Sequence, residues 1–198
     1  MQSLLMTKYV FSNTPVPDLV IYGYIPNHED RNVASASWAS ALRDSTGKPL
    51  LSPHAIVIDG HLVFQPLSAI EAWPLEEYSV IISMLHKGWL RVKLRKRPEE
   101  KHLVTQYILT EMRDFIAKEK SRLVVVILVK DPRMSQFLKD AGIEYVDCAH
   151  SDYGKGGGLS VGGVGHPNYM LHEYWASCIS KWIDGRWIDG RWIDGGRR

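Results

Sequence analysis

One apolar segment in the second half of the chain limits the fold more than any other feature. Residues Leu123–Val129 form an unbroken apolar run rich in β-branched side chains, which is typical of a buried strand. An amphipathic helix is predicted before this run, over Glu99–Lys120, and a short helix after it, over Asp131–Ala141. A second strand, Ile143–Asp147, follows at once. Strands that alternate with helices predict an α/β domain with a mostly parallel sheet.

Further elements are predicted on the N-terminal side of this core. Residues 1–10 have the apolar spacing of an amphipathic helix, and Asp18–Ile25 has the pattern of a buried strand. We predict a polar loop over Pro26–Asn32, a helix over Val33–Leu42 and a turn over Asp44–Pro49.

A hairpin is predicted within His54–Phe64, because Asp59-Gly60 joins two apolar segments and this dipeptide favours a two-residue hairpin turn. Helices are predicted over Glu76–Leu85 and, near the end of the chain, over Tyr169–Trp182.

The segment Trp89–Lys96 alternates apolar and basic residues with a period of two. This pattern predicts a half-exposed strand with a basic outer face. We interpret its charge as a solvated sheet edge, where lysine hinders pairing between strands of different molecules, in preference to a nucleic-acid site.

The composition excludes several classes of protein. The 198 residues carry 24 Lys and Arg against 22 Asp and Glu, which argues against a protein held to nucleic acid by bulk charge. Two cysteines argue against a disulfide-built scaffold. The longest apolar run is far shorter than the ~20 residues that cross a bilayer, and the first ten residues lack a secretory signal. We expect a soluble domain, cytoplasmic by default, with no nucleic-acid and no membrane partner.

A five-residue repeat, Trp-Ile-Asp-Gly-Arg, begins at Trp182 and recurs to the end of the chain. This period is neither helical nor that of a solenoid. We predict an α/β domain over residues 1–181, with a hairpin insertion at about 50–98, and a disordered repeat tail over 182–198. We interpret the tail as a short tandem duplication with no selected role; the alternative is a Trp/Arg recognition tail.

Residue spacing gives little support to a nucleotide or metal site. The stretch Gly154–Gly165 is rich in glycine, but Lys155 is followed by Gly156 and not by the Ser or Thr of a phosphate loop. His166 and His172 lie six residues apart and therefore do not share a helix face as an i, i+4 pair would. The cysteines lie thirty residues apart, without the spacing of paired metal ligands. We expect no cofactor and no metal.

The best candidate for chemistry is His166. Pro167 and Asn168 mark a turn, and Asn168 is a good N-cap for the helix that follows. His166 is therefore expected just before a helix and just after a glycine-rich loop, where its imidazole can face a cleft. Histidine titrates near neutral pH, which suits a residue that transfers protons.

Two segments resemble conserved blocks of the SGNH, or GDSL-type, ester hydrolases. Gly165–Ala176, Gly-His-Pro-Asn-x-x-x-His-x-x-Trp-Ala, looks like the last block of that family, and Pro17–His28 is similar to its third block, a core strand that ends in an Asn. The resemblance covers roughly residues 1–183. It implies a three-layer α/β/α fold, His166 as the base for a serine nucleophile, and Asn27 as a donor to the oxyanion hole.

The sequence departs from the family in two places. The Asp that normally precedes the His by two or three residues is replaced by Gly163 and Val164, and Asp147 is the substitute that we considered. No Gly-Asp-Ser occurs in the sequence. Ser45 follows an Asp, but it comes after the Asn strand, and we interpret it as a turn residue.

We therefore expect an N-terminally truncated member of this family that lacks the nucleophile block. The family chemistry is serine-dependent hydrolysis or transfer of an ester acyl group, and this chain is expected to be weakly active or inactive. Its substrate, if it is active, would be a small-molecule or carbohydrate ester. The alternative is a non-catalytic binding or remnant α/β protein that uses the Gly154–Gly165 loop or the basic segment Arg91–Arg97 for a partner.

Overall fold

The computed structural model describes residues 1–46, 52–68, 73–155, 158–161, 166–188 and 191–192. The chain divides into two compact units. Unit 1 comprises Met1–Pro17 and Pro26–Lys120, and unit 2 comprises Asp18–Ile25 and Ser121–Arg198.

The helices and strands of the described residues follow one another along the chain in a mixed order. The elements are α1 (Gln2–Asn13), β1 (Leu19–Tyr24), α2 (Asn27–Asn32), α3 (Ala36–Thr46), β2 (Ser52–Ile58), β3 (His61–Ser68), α4 (Val80–Lys93), α5 (Lys96–Lys118), β4 (Arg122–Ile127), α6 (Pro132–Asp140), β5 (Glu144–Asp147), α7 (Tyr169–Asp184), β6 (Trp187–Ile188) and β7 (Arg191–Trp192).

The centre of unit 2 is a three-stranded sheet in the order β1-β4-β5, and both strand pairs are parallel. Leu19 pairs with Arg122 where β1 begins, and Val124 pairs with Glu144 where β5 begins. Residues 123–127 of β4 are at most 7% exposed, as expected for a central parallel strand with covered faces. The predicted α/β class with a mostly parallel sheet is confirmed.

α6 follows β4 where the sequence predicts a short helix, and it is held by a complete N-cap. Asp131 Oδ1 accepts hydrogen bonds from the backbone amides of Arg133 (3.0 Å) and Met134 (3.2 Å). Pro132 occupies the first helical turn, where a missing N–H has no cost. Met134 and Leu138 are one helical turn apart and both are buried, so one face of α6 joins the core of unit 2.

The predicted hairpin is confirmed in unit 1, where β2 pairs with β3 in an antiparallel arrangement. Asp59 has φ 49° and Gly60 has φ 75°. Two consecutive residues in the left-handed region are the requirement of a type I′ turn, which matches the twist of the two strands. Both strands contact α5.

α5 is the longest helix of unit 1 and confirms the helix predicted over Glu99–Lys120. Its buried residues recur at helical spacing: Val104, Thr105, Ile108, Leu109, Met112 and Ile116. α1 packs on the same helix, as the ring centroids of Phe11 and Phe115 lie 5.4 Å apart and Lys8 Nζ lies 2.6 Å from Glu111 Oε1. The helix predicted for the first ten residues is also confirmed.

The prediction of a basic strand over Trp89–Lys96 is wrong, because residues 89–93 belong to α4, residues 94–95 form a turn, and Lys96 begins α5. In α4 the buried residues are His86 and Leu90, which are four residues apart, whereas Val92 is 70% exposed. The burial therefore follows the helical period, and the alternation of apolar and basic residues does not mark two faces of a sheet.

The other helix boundaries of unit 1 also differ from the predictions. The helix predicted over Glu76–Leu85 begins later, after Ser79, whose hydroxyl caps the Ile82 amide (3.4 Å). α3 begins at Ala36 and continues beyond Leu42 to Thr46. Ser45 is consequently helical and not a turn residue, and residues 47–49 of the predicted turn lie outside the described residues.

The segment predicted as a polar loop, Pro26–Asn32, forms the short helix α2 from Asn27 onward. Glu29 and Asn32 are three residues apart and both are buried. A helix that buries polar side chains has no apolar stripe, so hydrophobic periodicity does not reveal it.

Part of the predicted repeat tail belongs to the described residues. α7 continues to Asp184, and β6 then pairs with β7 in an antiparallel arrangement in which Trp187 is opposite Trp192. Residues 189–190 and 193–198 lie outside the described part of the chain.

Two glycine substitutions in unit 1 are expected to act in opposite directions. Gly60→Ala places a Cβ on a residue with φ 75° and should destabilise the hairpin by about 1 kcal/mol. Gly88→Ala, in α4, meets no atom within 4 Å and should stabilise the protein by up to about 1 kcal/mol through helix propensity. Urea unfolding measures both; a Gly60→Ala variant as stable as the wild type would contradict the turn geometry.

Candidate functional site

The three parallel strands of unit 2 end at one edge of the sheet, which is where functional sites usually form in α/β proteins. Asp131 follows β4 at this edge. The chain from Cys148 to Asn168 connects the end of β5 to α7. We therefore look for the candidate site on these connections.

Asp131 is buried and has a structural role at this edge. Its Oδ2 accepts a hydrogen bond from the Tyr24 hydroxyl at the end of β1 (3.0 Å), while its Oδ1 caps α6. Both carboxylate oxygens are thus engaged, and the pair fixes the ends of β1 and β4 relative to α6.

Asn168 is the N-cap of α7, as predicted. Its Oδ1 accepts from the Leu171 amide (3.2 Å), and its own amide N–H donates to the Leu159 carbonyl (3.0 Å). Its side-chain Nδ2 also donates to the Gly158 carbonyl. The start of α7 is therefore tied to the described part of the preceding loop.

His166 lies two residues before this cap and its side chain is exposed. The Val161 amide donates to the His166 carbonyl (2.7 Å), and Ser160 and Pro167 form a β-bridge. The backbone of His166 is held from both sides while the imidazole faces solvent. The prediction that His166 lies just before a helix is confirmed, whereas residues 162–165 of the predicted glycine-rich loop lie outside the described residues.

The carboxylate of Asp147 does not orient this imidazole. Asp147 Oδ1 accepts from the Ala149 amide (3.0 Å), and within the described residues no hydrogen bond joins Asp147 to His166. A general base of the Ser-His-Asp type uses such a carboxylate to fix its tautomer and to stabilise the imidazolium. Among the described side chains, no carboxylate forms a hydrogen bond or ion pair with the imidazole of His166.

Asn27, the predicted oxyanion donor, follows the end of β1 and is the first residue of α2. Its side chain is exposed. Asn27 belongs to unit 1 and His166 to unit 2. The joint role of the two residues stays a prediction.

The residues after Asn27 form a polar cluster with α5 that sequence reasoning missed. Glu29 Oε1 accepts a hydrogen bond from His102 Nδ1 (2.8 Å), Asp30 pairs with Lys101 (2.8 Å), and Asn32 Nδ2 donates to Thr105 Oγ1 (2.9 Å). The partners on α5 fall within one helical turn, Lys101 to Thr105. These contacts explain how so polar a segment is held in place.

His28 lies in the same turn of chain and its titration is perturbed. Burial, and to a lesser extent the positive charge of Arg31, lower the pKa of His28 from 6.5 to about 4. The imidazole of His28 is consequently neutral at physiological pH.

α7 is fastened to the sheet by a covalent bond that the sequence analysis did not predict. Cys148, directly after β5, forms a disulfide with Cys178 of α7. Around it, Val126, Leu171 and Trp175 form a buried cluster. The cluster and the disulfide hold α7, which begins three residues after His166.

A signal for this contact is present in the sequence. Leu171, Trp175 and Cys178 are spaced i, i+4, i+7 and therefore share the buried face of α7. Cys148 follows the end of a predicted strand. These two positions predict one link between a strand end and a helix face, which the spacing of thirty residues alone does not reveal.

Two kinds of feature do not occur in the part of the chain that the structure describes. No group of three or more His, Cys, Asp or Glu side chains is arranged to hold a metal ion. No helix combines the length and apolar content needed to cross a membrane.

Comparisons with known proteins add no relative: no protein-family model, no curated protein and no solved structure matches the sequence.

Reduction of the disulfide should destabilise unit 2. Cys148 and Cys178 are 30 residues apart, and closing a loop of that length stabilises a fold by about 3–4 kcal/mol in the chain-entropy description. We expect a lower urea midpoint in the presence of a reductant. The double variant Cys148→Ser, Cys178→Ser should match the reduced protein and should not respond to the reductant; equal midpoints for oxidised and reduced wild type would contradict the bond.

The free energy of unfolding should fall as the pH decreases from about 6.5 to about 4. Between these values His28 binds a proton in the unfolded chain but not in the folded protein, because its pKa is lowered on folding. His28→Gln should reduce this pH dependence in urea unfolding measured at several pH values. His61→Gln, at an exposed position of the hairpin, is the control. An unchanged pH dependence in His28→Gln would exclude this role.

Proposed function

We propose that this chain is an SGNH-hydrolase-like protein whose parent chemistry is serine-dependent hydrolysis or transfer of an ester acyl group. The observation that carries the proposal is the position of His166: its imidazole is exposed, its backbone carbonyl is hydrogen-bonded, and it lies two residues before the cap of α7. The parallel sheet of unit 2 is consistent with the three-layer α/β/α arrangement, which is part of the proposal.

In the proposed chemistry, each of two residues has one task. His166 accepts the proton of a serine hydroxyl as its oxygen attacks the ester carbonyl carbon, and then returns that proton to the alcohol that leaves. The Asn27 side-chain amide donates a hydrogen bond to the oxygen that becomes negative in the tetrahedral intermediate. Water then attacks the acyl-serine by the same proton transfers in reverse order, which releases the carboxylic acid.

Two features of this chain limit the expected rate. The sequence contains no Gly-Asp-Ser to supply the nucleophile, and removal of a serine nucleophile costs about 10⁶ in rate in a serine hydrolase. His166 is also not hydrogen-bonded to Asp147. We therefore propose that hydrolysis by this chain is weak or absent. A small-molecule or carbohydrate ester is the proposed substrate class for any residual activity.

Hydrolysis of p-nitrophenyl acetate tests this proposal. We expect the protein to release nitrophenol no faster than an equal concentration of free imidazole, because His166 acts there without a serine. His166→Ala should remove that small contribution, and His172→Ala, which changes an exposed histidine six residues further on, should not. Fast, saturable hydrolysis that depends on His166 would contradict the proposed inactivity.

A second measurement addresses the nucleophile directly. A fluorophosphonate probe forms a covalent bond only with an activated serine, so intact-mass analysis should show no added mass on this chain. Stoichiometric labelling of any serine would show that the chain has its own nucleophile.

The DNA upstream of the Met1 codon separates the proposal from its alternative. An in-phase reading frame that encodes Gly-Asp-Ser would support a hydrolase of this family. An unrelated upstream segment would favour a non-catalytic binding or remnant α/β protein.

A further inference from the structure

A groove of about 530 Å³ lies in unit 1 between α3 and the region where α4 ends and α5 begins. Its volume falls within the range of about 300–1,000 Å³ that small-molecule sites occupy in proteins. The residues that line it are Ala36, Ser37, Ser40, Lys87, Arg91, Leu94, Arg95 and Pro98.

One wall of the groove is cationic. Lys87 and Arg91 are one helical turn apart on α4, and Arg95 follows four residues later, in the connection to α5. The whole segment from residue 80 to residue 97 contains six basic residues and no Asp or Glu. The positive charge at the groove is therefore not neutralised from within its own segment.

The two arginines keep their donors available. Among the described residues, no carboxylate forms an ion pair with Arg91 or Arg95. Both side chains are exposed at the groove. A guanidinium presents several N–H groups in one plane, a geometry that matches the oxygens of a phosphate.

The remaining lining adds hydroxyl groups and apolar surface. Ser37 and Ser40 come from α3, and the Ser37 hydroxyl lies 2.8 Å from that of Ser35, which leaves it further hydrogen-bonding capacity. Leu94 and Pro98 contribute apolar side chains next to Arg91 and Arg95. A ligand in this groove would meet cations, hydroxyl groups and an apolar surface together.

We propose that this groove binds a phosphate group carried on an apolar or aromatic body. Lys87, Arg91 and Arg95 would contact the phosphate oxygens, the serine hydroxyls would donate hydrogen bonds to them, and Leu94 and Pro98 would pack against the body of the ligand. The guanidinium groups of Arg91 and Arg95 together favour a phosphate over a single carboxylate, since a phosphate monoester carries close to two negative charges at neutral pH. The proposal is independent of the ester chemistry assigned to His166.

Such a phosphate has two sources, a soluble organic phosphate and a lipid headgroup. The second source has support on α4 itself: Ile81, Leu85 and Val92 are each 60–71% exposed and recur at helical spacing. The experiment therefore includes both a soluble probe and a vesicle.

Lys93 provides a matched control on the same helix. It does not line the groove, and its Nζ lies 4.4 Å from the centroid of the Trp89 ring. Lys93→Ala and Arg91→Ala remove the same formal charge at positions two residues apart. If only the overall charge matters, both substitutions should weaken phosphate binding equally.

Calorimetric titration with inorganic phosphate and with phenyl phosphate, at low salt, tests the soluble source. We expect saturable binding with phenyl phosphate the tighter ligand, about tenfold or more weaker binding in Arg91→Ala, and less than about twofold change in Lys93→Ala. Arg95→Gln is a second groove variant that should also weaken binding. Circular dichroism confirms that each variant is folded.

Co-sedimentation with phosphatidylcholine vesicles, with and without phosphatidic acid, whose headgroup is a phosphate monoester, tests the lipid source. Binding that requires phosphatidic acid and Arg91, and that is lost in Ile81→Ser, would assign the phosphate to a lipid headgroup. Binding of phenyl phosphate without vesicle binding would assign it to a soluble ligand.

Two results would overturn the proposal. One is the absence of saturable binding to inorganic phosphate, phenyl phosphate and vesicles alike. The other is an equal loss of phosphate binding in Arg91→Ala and Lys93→Ala, together with binding of a single-stranded oligonucleotide that the two substitutions weaken equally. This result would identify an extended basic surface and no discrete groove.

Discussion

β4 is paired on both edges and buried along residues 123–127, and the other elements of unit 2 are assembled on it. Its β-branched side chains fill the interior, and its backbone groups find partners on β1 and β5. Parallel neighbours cannot be joined by a tight turn, so a long connection between β1 and β4 is required. All of unit 1 after Pro26 is that connection.

The elements predicted correctly from the sequence are those fixed by local chemistry. Asp59 and Gly60 adopt the positive φ angles that a tight hairpin turn requires, and this local preference does not depend on distant contacts. Asp131 and Asn168 cap α6 and α7 with their own side chains, so the helix starts are encoded within three residues. The run at Leu123–Val129 is apolar on both faces, and only a central strand buries such a run in so short a length.

The elements predicted incorrectly depend on contacts that are distant in the sequence. α2 is stabilised by polar partners on α5, and the Asn32–Thr105 bond spans 73 residues. The segment Leu90–Arg95 alternates apolar and basic residues as a strand would, although its first four residues belong to α4. Most of α4 is exposed, and only its two buried residues, His86 and Leu90, show the spacing of a helix. The link between Cys148 and Cys178 requires knowing which helix face meets the end of β5.

The candidate site divides in the same way. A short motif around the cap of α7 is enough to place His166, since its backbone is held by neighbours within ten residues. A carboxylate that orients the ring would have to be brought to it by the fold, and spacing in the sequence does not identify such a partner. Asp147, the predicted substitute, accepts from the Ala149 amide instead.

The insertion of unit 1 between β1 and β4 also sets an order of events during synthesis. At about 5–20 residues per second, the ribosome needs roughly 5–20 s to make the stretch of about 100 residues between these strands. β1 emerges first and stays without its sheet partner for that time. The β2–β3 hairpin can form locally. However, α1, α2 and the hairpin all pack against α5, so these contacts form only when α5 has been synthesised. Unit 1 is therefore translated in full before the nascent chain can pair β1 with β4.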